Sequence, residues 1–280
     1  MAAGGPATSR LVLPRGENDV ELTVGRKRVR LTHLEKILWT DLGITKRDLL
    51  QYYADVAPVL LPHLKNRAIL MKRVPTPRPH WIRTCSVEDA SGRIIDLPIV
   101  QDLASLLWVV DLDCIDLNPW CARCDDVHRP DYLHFDLDPV PGSEFEEVLR
   151  TALRMKENLD AHHIPSYPKT SGLRGMHIYV PIKRALVQTE VWALAKDLAK
   201  KIPAEIPERG RVGRPLASVY SVRPTPRATV SAPVTWEEVA RGFRVDDFRI
   251  DNMAQRVREV GDLWKPLTMA RGRVDVERMV

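Results

Sequence analysis

Tyr132-Leu-His-Phe-Asp136-Leu-Asp138-Pro-Val-Pro-Gly142 decides how this chain is read. It has the pattern of a short strand carrying two carboxylates and running into a hard turn. Side chains two apart on a strand share a face. Asp136 and Asp138 therefore aim together, while Phe135 and Leu137 turn the other way, into a core. Carboxylates held this close repel each other unless a positive group stands between them. An oxygen-preferring divalent cation, Mg²⁺ or Mn²⁺, is the common solution, and such a site is where phosphoryl- or nucleotidyl-transfer chemistry begins.

Further along, strand and helix patterns alternate. Ser143-Glu-Phe-Glu146 has the form of a capping box opening a helix, with Phe145, Val148, Leu149, Ala152, Met155 and Leu159 as its apolar stripe. Strands are expected at 164–167 and 176–182 and a helix at 189–201, giving a sheet with helices on one side. Short helices follow near 236–241 and 251–260. Upstream, residues 20–31 alternate as a hairpin around Gly25. Thr32-His-Leu-Glu35 resembles a second capping box, and Thr45 opens a helix expected to end before Pro58. Residues 68–73 and 81–87 have strand patterns, 97–110 is apolar at helical spacing, and 111–119 includes a short buried strand.

The loop Ser171-Gly-Leu-Arg-Gly175 precedes Met176 and His177. Two glycines let backbone amides approach an anion, Ser171 can donate a hydrogen bond, and Arg174 suits phosphate. A strand pairing beside Asp136 would bring His177 to the carboxylates. Taken alone, the loop is more simply a hairpin turn with a surface histidine; beside the carboxylate pair that plainer reading loses ground. The rival pair Asp111 and Asp113 has no glycine-rich loop after it and is read as a solvated strand end.

Composition adds bounds. The 280 residues are 44% hydrophobic and 28% charged, ordinary for a globular chain and enough for a sizeable core. The net charge of +5 favours a polyanionic partner such as nucleic acid, although a basic proteome would give the same value. No apolar run is long enough to span a membrane, and the start has no secretory pattern, so residues 1–19 are expected to be a disordered tail and 20–280 one catalytic domain in the cytoplasm. Four cysteines speak against a disulfide framework. Cys121 and Cys124 with His128, and Cys85 or Cys114, have part of a zinc pattern; reduced, partly buried cysteines are the preferred expectation over a structural zinc.

In combination these segments resemble a family. Asp-Leu-Asp-Pro, then Lys169-Thr-Ser-Gly-x-x-Gly-x-His177, then Tyr220-Ser-Val-Arg223 and Ala228-Thr-Val-Ser-Ala-Pro-Val-Thr-Trp236 are similar to the polymerase domain of bacterial ligase D. That domain belongs to the archaeo-eukaryotic primase superfamily, which includes stand-alone primase-polymerases. The resemblance runs from about Leu31 to Trp264. It implies an α/β (α+β) core of mixed and antiparallel sheets flanked by helices. It further implies a template-dependent nucleotidyl transferase that extends DNA 3′-ends and fills short gaps at double-strand breaks, often with ribonucleotides, using two Mn²⁺ or Mg²⁺ ions.

By the same resemblance Asp136 and Asp138 are metal ligands. Ser171, Gly172, Arg174, His177 and Arg223 hold the incoming NTP or dNTP, with lysine common where Arg174 stands. Lys36 and Lys46, with His33, grip the 5′-phosphate across a gap, and Lys72 and Arg73 lie near template and primer. A Ku-type end-binding protein and a DNA ligase, near the nucleoid, are the implied partners.

Three departures stand out. The family's third metal carboxylate is absent where the chain runs Ile206-Pro-Glu-Arg-Gly-Arg-Val-Gly-Arg-Pro215, and the stretch after Lys72 is short. Either the chain lacks these pieces or two loops are left out of the sequence; the closely matching flanks favour the second. Glu205 or Glu208 could substitute for the missing ligand. Asn118 stands where histidine is common, which suggests a branch nearer the stand-alone enzymes. The alternative to a polymerase is a DNA-end-binding module that has lost its chemistry.

Overall fold

The computed structural model describes residues 10–71, 77–89, 91–200 and 216–275. Residues 10–19, expected within a disordered tail, lie along the first long helix. Leu13 is buried, its amide donates to Gln51 Oε1 (2.9 Å), and Arg10 forks onto Asp55. An apolar anchor and two polar ties are enough to order this segment.

Strands β1 (Val20–Val24) and β2 (Lys27–Leu31) form the expected hairpin. Thr32–Glu35 opens no helix; it is a turn, with His33 at φ 56°, leading into β3 (Ile37–Trp39), which pairs with β4 (Ile44–Thr45). Helix α1 (Lys46–Leu64) starts with a true capping box between Thr45 and Asp48. It continues through Pro58 and Pro62, against expectation, because Leu60 and Leu64 are fully buried. Tertiary burial outweighs the lost hydrogen bonds.

Next come β5 (Ile69–Leu70), the hairpin β6 (Thr84–Glu88) and β7 (Ile94–Pro98), and α2 (Leu103–Asp111), capped by Asp102. The apolar run at 97–110 thus divides between a strand end and a helix. β8 (Asn118–Pro119) pairs with β5, and β9 (Ala122–Arg123) with β10 (Asp126–Pro130).

The central sheet contains β11 (Tyr132–Leu137), β12 (Tyr167–Thr170) and β13 (Met176–Pro181), ordered β11-β13-β12 and antiparallel throughout. Helix α3 (Phe145–Ala161) packs on β11 and β13, and α4 (Gln188–Lys200) on β11. The α3 stripe is the expected one, but its N-cap is Glu144, and the Ser143 hydroxyl instead donates to the Val140 carbonyl. Residues 232–234 run along the β12 edge of the sheet, with the Thr170 amide on the Ala232 carbonyl and the Val234 amide on the Pro168 carbonyl, and α5 (Trp236–Arg241), α6 (Met253–Val260) and α7 (Lys265–Thr268) complete the described chain. One continuous apolar core includes residues from Leu13 to Trp264, and a smaller one lies under the β6–β7 hairpin. Helices with largely antiparallel sheets agree with the expected α/β architecture. Among the described residues no helix is long and apolar enough to cross a membrane.

Candidate active site

The sheet register builds the site. Asp136 on β11 stands opposite His177 on β13, and His177 stands opposite Lys169 on β12. The three side chains form a row across the sheet. His177 Nε2 is 3.2 Å from Asp136 Oδ1, and Lys169 Nζ is 2.6 Å from His177 Nδ1. Along β11 the alternation is as expected: Phe135 and Leu137 are buried, while Asp136 and Asp138 are half-buried on the other face.

Burial disfavours a charged Asp136, but the hydrogen bond from His177 and the nearby positive charge outweigh it and hold its pKa below the usual carboxylate value. Burial and then the Lys169 charge push His177 down to about 3, so its ring is neutral near pH 7. His134, stacked on Tyr179 with ring centroids 5.3 Å apart, is pushed down to about 4, chiefly by burial.

The glycine loop closes on itself. Ser171 Oγ accepts from the amides of Leu173 (3.2 Å) and Gly175 (3.0 Å), so the hydroxyl shapes the loop. Gly175 is there because nothing larger fits. A Cβ would stand 2.3 Å from the Leu137 carbonyl oxygen and 2.7 Å from Asp138 Oδ1. Gly172, at φ 71°, lies under Arg223, whose Cγ would be 2.5 Å from an added Cβ. The Arg223 guanidinium reaches Asp116 (3.4 Å), and the Asn118 amide donates to the Asp116 carbonyl (3.3 Å). Asp136, Asp138, Ser171, Gly172, His177 and Arg223 thus meet at one end of the sheet. Arg174 does not join them; it is exposed at the loop tip.

A second cluster lies at the start of α1. The Lys46 amide donates to the Lys36 carbonyl (2.8 Å), so these lysines are neighbours, with exposed His33 in the preceding turn. Asp111 and Asp113 are not a solvated strand end. They close α2 and meet the lysines: Lys46 Nζ lies 2.9 Å from Asp111 and Lys36 Nζ 2.8 Å from Asp113. Asp111 also accepts from the Thr32 amide (2.9 Å). Lys46 is buried and Lys36 exposed.

Lys72, Arg73, Glu205 and Glu208 lie outside the described residues. The cysteines correct another expectation. Cys85 and Cys124 are joined as a disulfide with Cα atoms 5.8 Å apart, because both pack into the small core under β6–β7. Cys114 and Cys121 are free thiols. Among the described residues no group of three His, Cys, Asp or Glu side chains is gathered as a metal site.

Similarity to known proteins bears on what this arrangement does. The sequence profile of the primase-polymerase domain of LigD matches residues 45–215 and 208–264. The chain belongs to the LigD primase-polymerase domain family. The two matched segments overlap at residues 208–215, within the stretch where the third carboxylate was expected. The multifunctional non-homologous end joining protein LigD of Mycolicibacterium smegmatis is 26% identical over 277 residues, covering 86% of this chain and 36% of that protein. The bifunctional LigD of Bacillus subtilis is 27% identical over 269 residues, covering 84% and 43%. The chain therefore spans about two fifths of the length of these relatives. The polymerase domain of Mycobacterium tuberculosis ligase D, solved in complex with DNA, superposes with a TM-score of 0.76 at 25% identity, covering 86% of this chain and 98% of that one. In this LigD-type domain, the residues that sequence reasoning missed are Lys169 and Ser231. Counting outward from the loop, Thr170 faces Met176 and Lys169 faces His177, so the hairpin pattern alone could have found the lysine.

Proposed function

We propose that the chain is a template-directed nucleotidyl transferase that extends DNA 3′-ends and fills short gaps at double-strand breaks. The observation that carries this reading is the Asp136–His177 contact, placed against a glycine loop that presses on Asp138, in a member of the LigD primase-polymerase family. The reaction joins a primer 3′-oxygen to the α-phosphorus of a nucleotide and releases pyrophosphate.

Asp136 and Asp138 present hard carboxylate oxygens, and Asp136 favours its charged form. That donor set fits an oxygen-preferring divalent ion, although a third carboxylate is not among the described residues. Bound Mg²⁺ or Mn²⁺, two ions in the scheme favoured here, supplies the charge that makes a 3′-hydroxyl nucleophilic and neutralises pyrophosphate. The remaining roles fall to side chains. Arg223 and the Ser171–Gly172 loop hold the triphosphate, His177 Nε2–H turns to it from Asp136, and Arg174 adds its charge from the exposed loop tip. Lys36 and His33 meet the downstream 5′-phosphate, with Lys46 behind them. Lys72 and Arg73 attend template and primer. Ribonucleotide use, a ligase and a Ku-type end-binding partner belong to the same proposal, whose setting in end joining is supported by relatives described as non-homologous end joining proteins.

Primer extension on a gapped DNA with a 5′-phosphate, Mn²⁺ and four ribonucleotides tests it. Template-dependent incorporation is expected, with none by Asp136→Ala. Equal extension by Asp136→Ala refutes the assignment of the site. Tight gap binding with no incorporation by the wild type replaces this reading with an end-binding module.

A further inference from the structure

Lys169 is a costly residue where it stands. Its side chain is 0% exposed, and a buried amine must find partners for its protons. One partner is His177 Nδ1, at 2.6 Å. Another is Ser231 Oγ, whose own hydrogen goes to the Thr170 carbonyl (2.8 Å). The aromatic faces of Tyr179 and Trp264 line another side, with centroids 6.0 and 5.9 Å away. Trp264 is fixed in turn by its indole N–H on the Pro168 carbonyl (3.0 Å). No mechanism assigned to the site so far uses this lysine.

The directions of these hydrogen bonds carry information. Asp136 presents a carboxylate, which only accepts, to Nε2 of the neutral ring, and Lys169 Nζ offers protons to Nδ1 at 2.6 Å. Nδ1 of His177 must then accept, and the ring proton sits on Nε2, the nitrogen that faces Asp136. The Ser231 hydroxyl cannot reverse the order, because its hydrogen is engaged by a carbonyl that can only accept.

We propose that Lys169 is a positioning residue that fixes His177 as the Nε2–H tautomer, aiming a hydrogen-bond donor at the anionic end of the site. In this structure Asp136 holds that donor; it turns to the triphosphate when nucleotide binds, and to that extent the inference rests on the polymerase reading. The nitrogen left without a proton faces the protein interior, so the ring cannot flip without losing both Lys169 and Asp136. This control is needed because a neutral imidazole can donate from either nitrogen.

The test is ¹⁵N NMR of histidine-labelled protein, with the His177 ring signals assigned by their loss in His177→Gln, together with nucleotide kinetics on Lys169→Met. The wild type is expected to show a neutral His177 protonated at Nε2. Lys169→Met is expected to populate the Nδ1–H form and to raise KM for the nucleotide roughly tenfold while kcat changes less. A wild-type ring protonated at Nδ1 overturns the proposal without any variant having to fold. So does a folded Lys169→Met that keeps both the Nε2–H tautomer and the wild-type KM, since Asp136 alone would then suffice. If the tautomer and its loss are both seen but the wild type incorporates no nucleotide, Lys169 does position His177 and the polymerase reading is what fails.

Discussion

Gly175→Ala tests the link between the loop and the carboxylates. The added methyl would lie 2.3 Å from the Leu137 carbonyl oxygen and 2.7 Å from Asp138 Oδ1. Non-bonded carbon contacts are comfortable only at about 3.5 Å or more, so the loop or the end of β11 must move by roughly 1 Å. Neither side yields cheaply. The nearer atom is backbone in a strand paired with β13, and Ser171 ties the loop amides to itself. Overpacking of this kind costs about 1–3 kcal/mol. A displacement of about 1 Å at reacting groups can cost about 10²-fold in rate, and Asp138 is one of the groups displaced. Urea unfolding and single-nucleotide incorporation, measured on the same preparation, should both fall. Gly142→Ala separates the two effects. Gly142 has φ 91° and no atom within 4 Å of an added Cβ, so its alanine strains the backbone and leaves the incorporation rate alone. Gly175→Ala with wild-type activity would mean that the loop does not set the position of Asp138.

Three further outcomes are expected. Asp131→Asn should destabilise the fold by about 3–5 kcal/mol, because it leaves the buried Arg67 guanidinium without its counter-charge; unchanged denaturant midpoints refute this. Its carboxyl is held below the usual range by the Arg67 and Arg123 charges in spite of burial, so its contribution is complete above the unfolded value near ~3.9 and is lost only as pH falls towards the folded one. The gap between wild type and Asp131→Asn should therefore stay flat from neutral to mildly acid pH and close only in strong acid. His134 titrates at about 4 in the fold against roughly 6.5 unfolded, so protons favour the unfolded chain below that value and stability falls with pH through the interval. His134→Phe should show a smaller drop in Tm between neutral and mildly acid buffer, and an identical drop sinks the argument. Asp113→Asn frees Lys36 from an exposed ion pair and should sharpen the preference for a 5′-phosphorylated gap by up to about fivefold, whereas Lys36→Ala should weaken it; equal binding ratios in all three proteins would remove Lys36 from phosphate recognition.

Strand parity and hairpin counting made much of the site legible. The alternation around Asp136 and Asp138 assigned inner and outer faces correctly, and the pairing of β13 beside β11 brings His177 to Asp136 as the sequence allowed. What failed depended on distant residues. Thr32–Glu35 has the spacing of a capping box, but Glu35 is taken by Arg47 and the Lys36 carbonyl by Lys46. Pro58 suggested a stop to α1, and only the burial of Leu60 and Leu64 keeps the helix going. The partners of Lys36 and Lys46 come from the end of α2, and the Cys85–Cys124 link joins segments 39 residues apart; no local pattern announces either. Lys169 was missed because the strand expected at 164–167 runs instead over Tyr167–Thr170, which moves the lysine from the loop into the sheet.

The two ends of β11 show why one carboxylate can serve chemistry and another cannot. Asp131, just before the strand, is 2% exposed and meets the guanidinium groups of Arg67, Arg123 and Arg273. Its charge is answered, and a cation arriving there would have to displace an arginine from a buried network. Asp136, roughly 17 Å further along an extended chain, keeps 22% of its side chain exposed, and its close contact is a histidine. Burial and Lys169 keep that histidine neutral, so the carboxylate retains a hydrogen bond without being neutralised. The same strand is therefore anchored at one end by a carboxylate paired with three arginines and carries at the other one held by a histidine hydrogen bond. That difference, more than the number of acidic residues, is what supports the proposal that Asp136 and not Asp131 takes a cation.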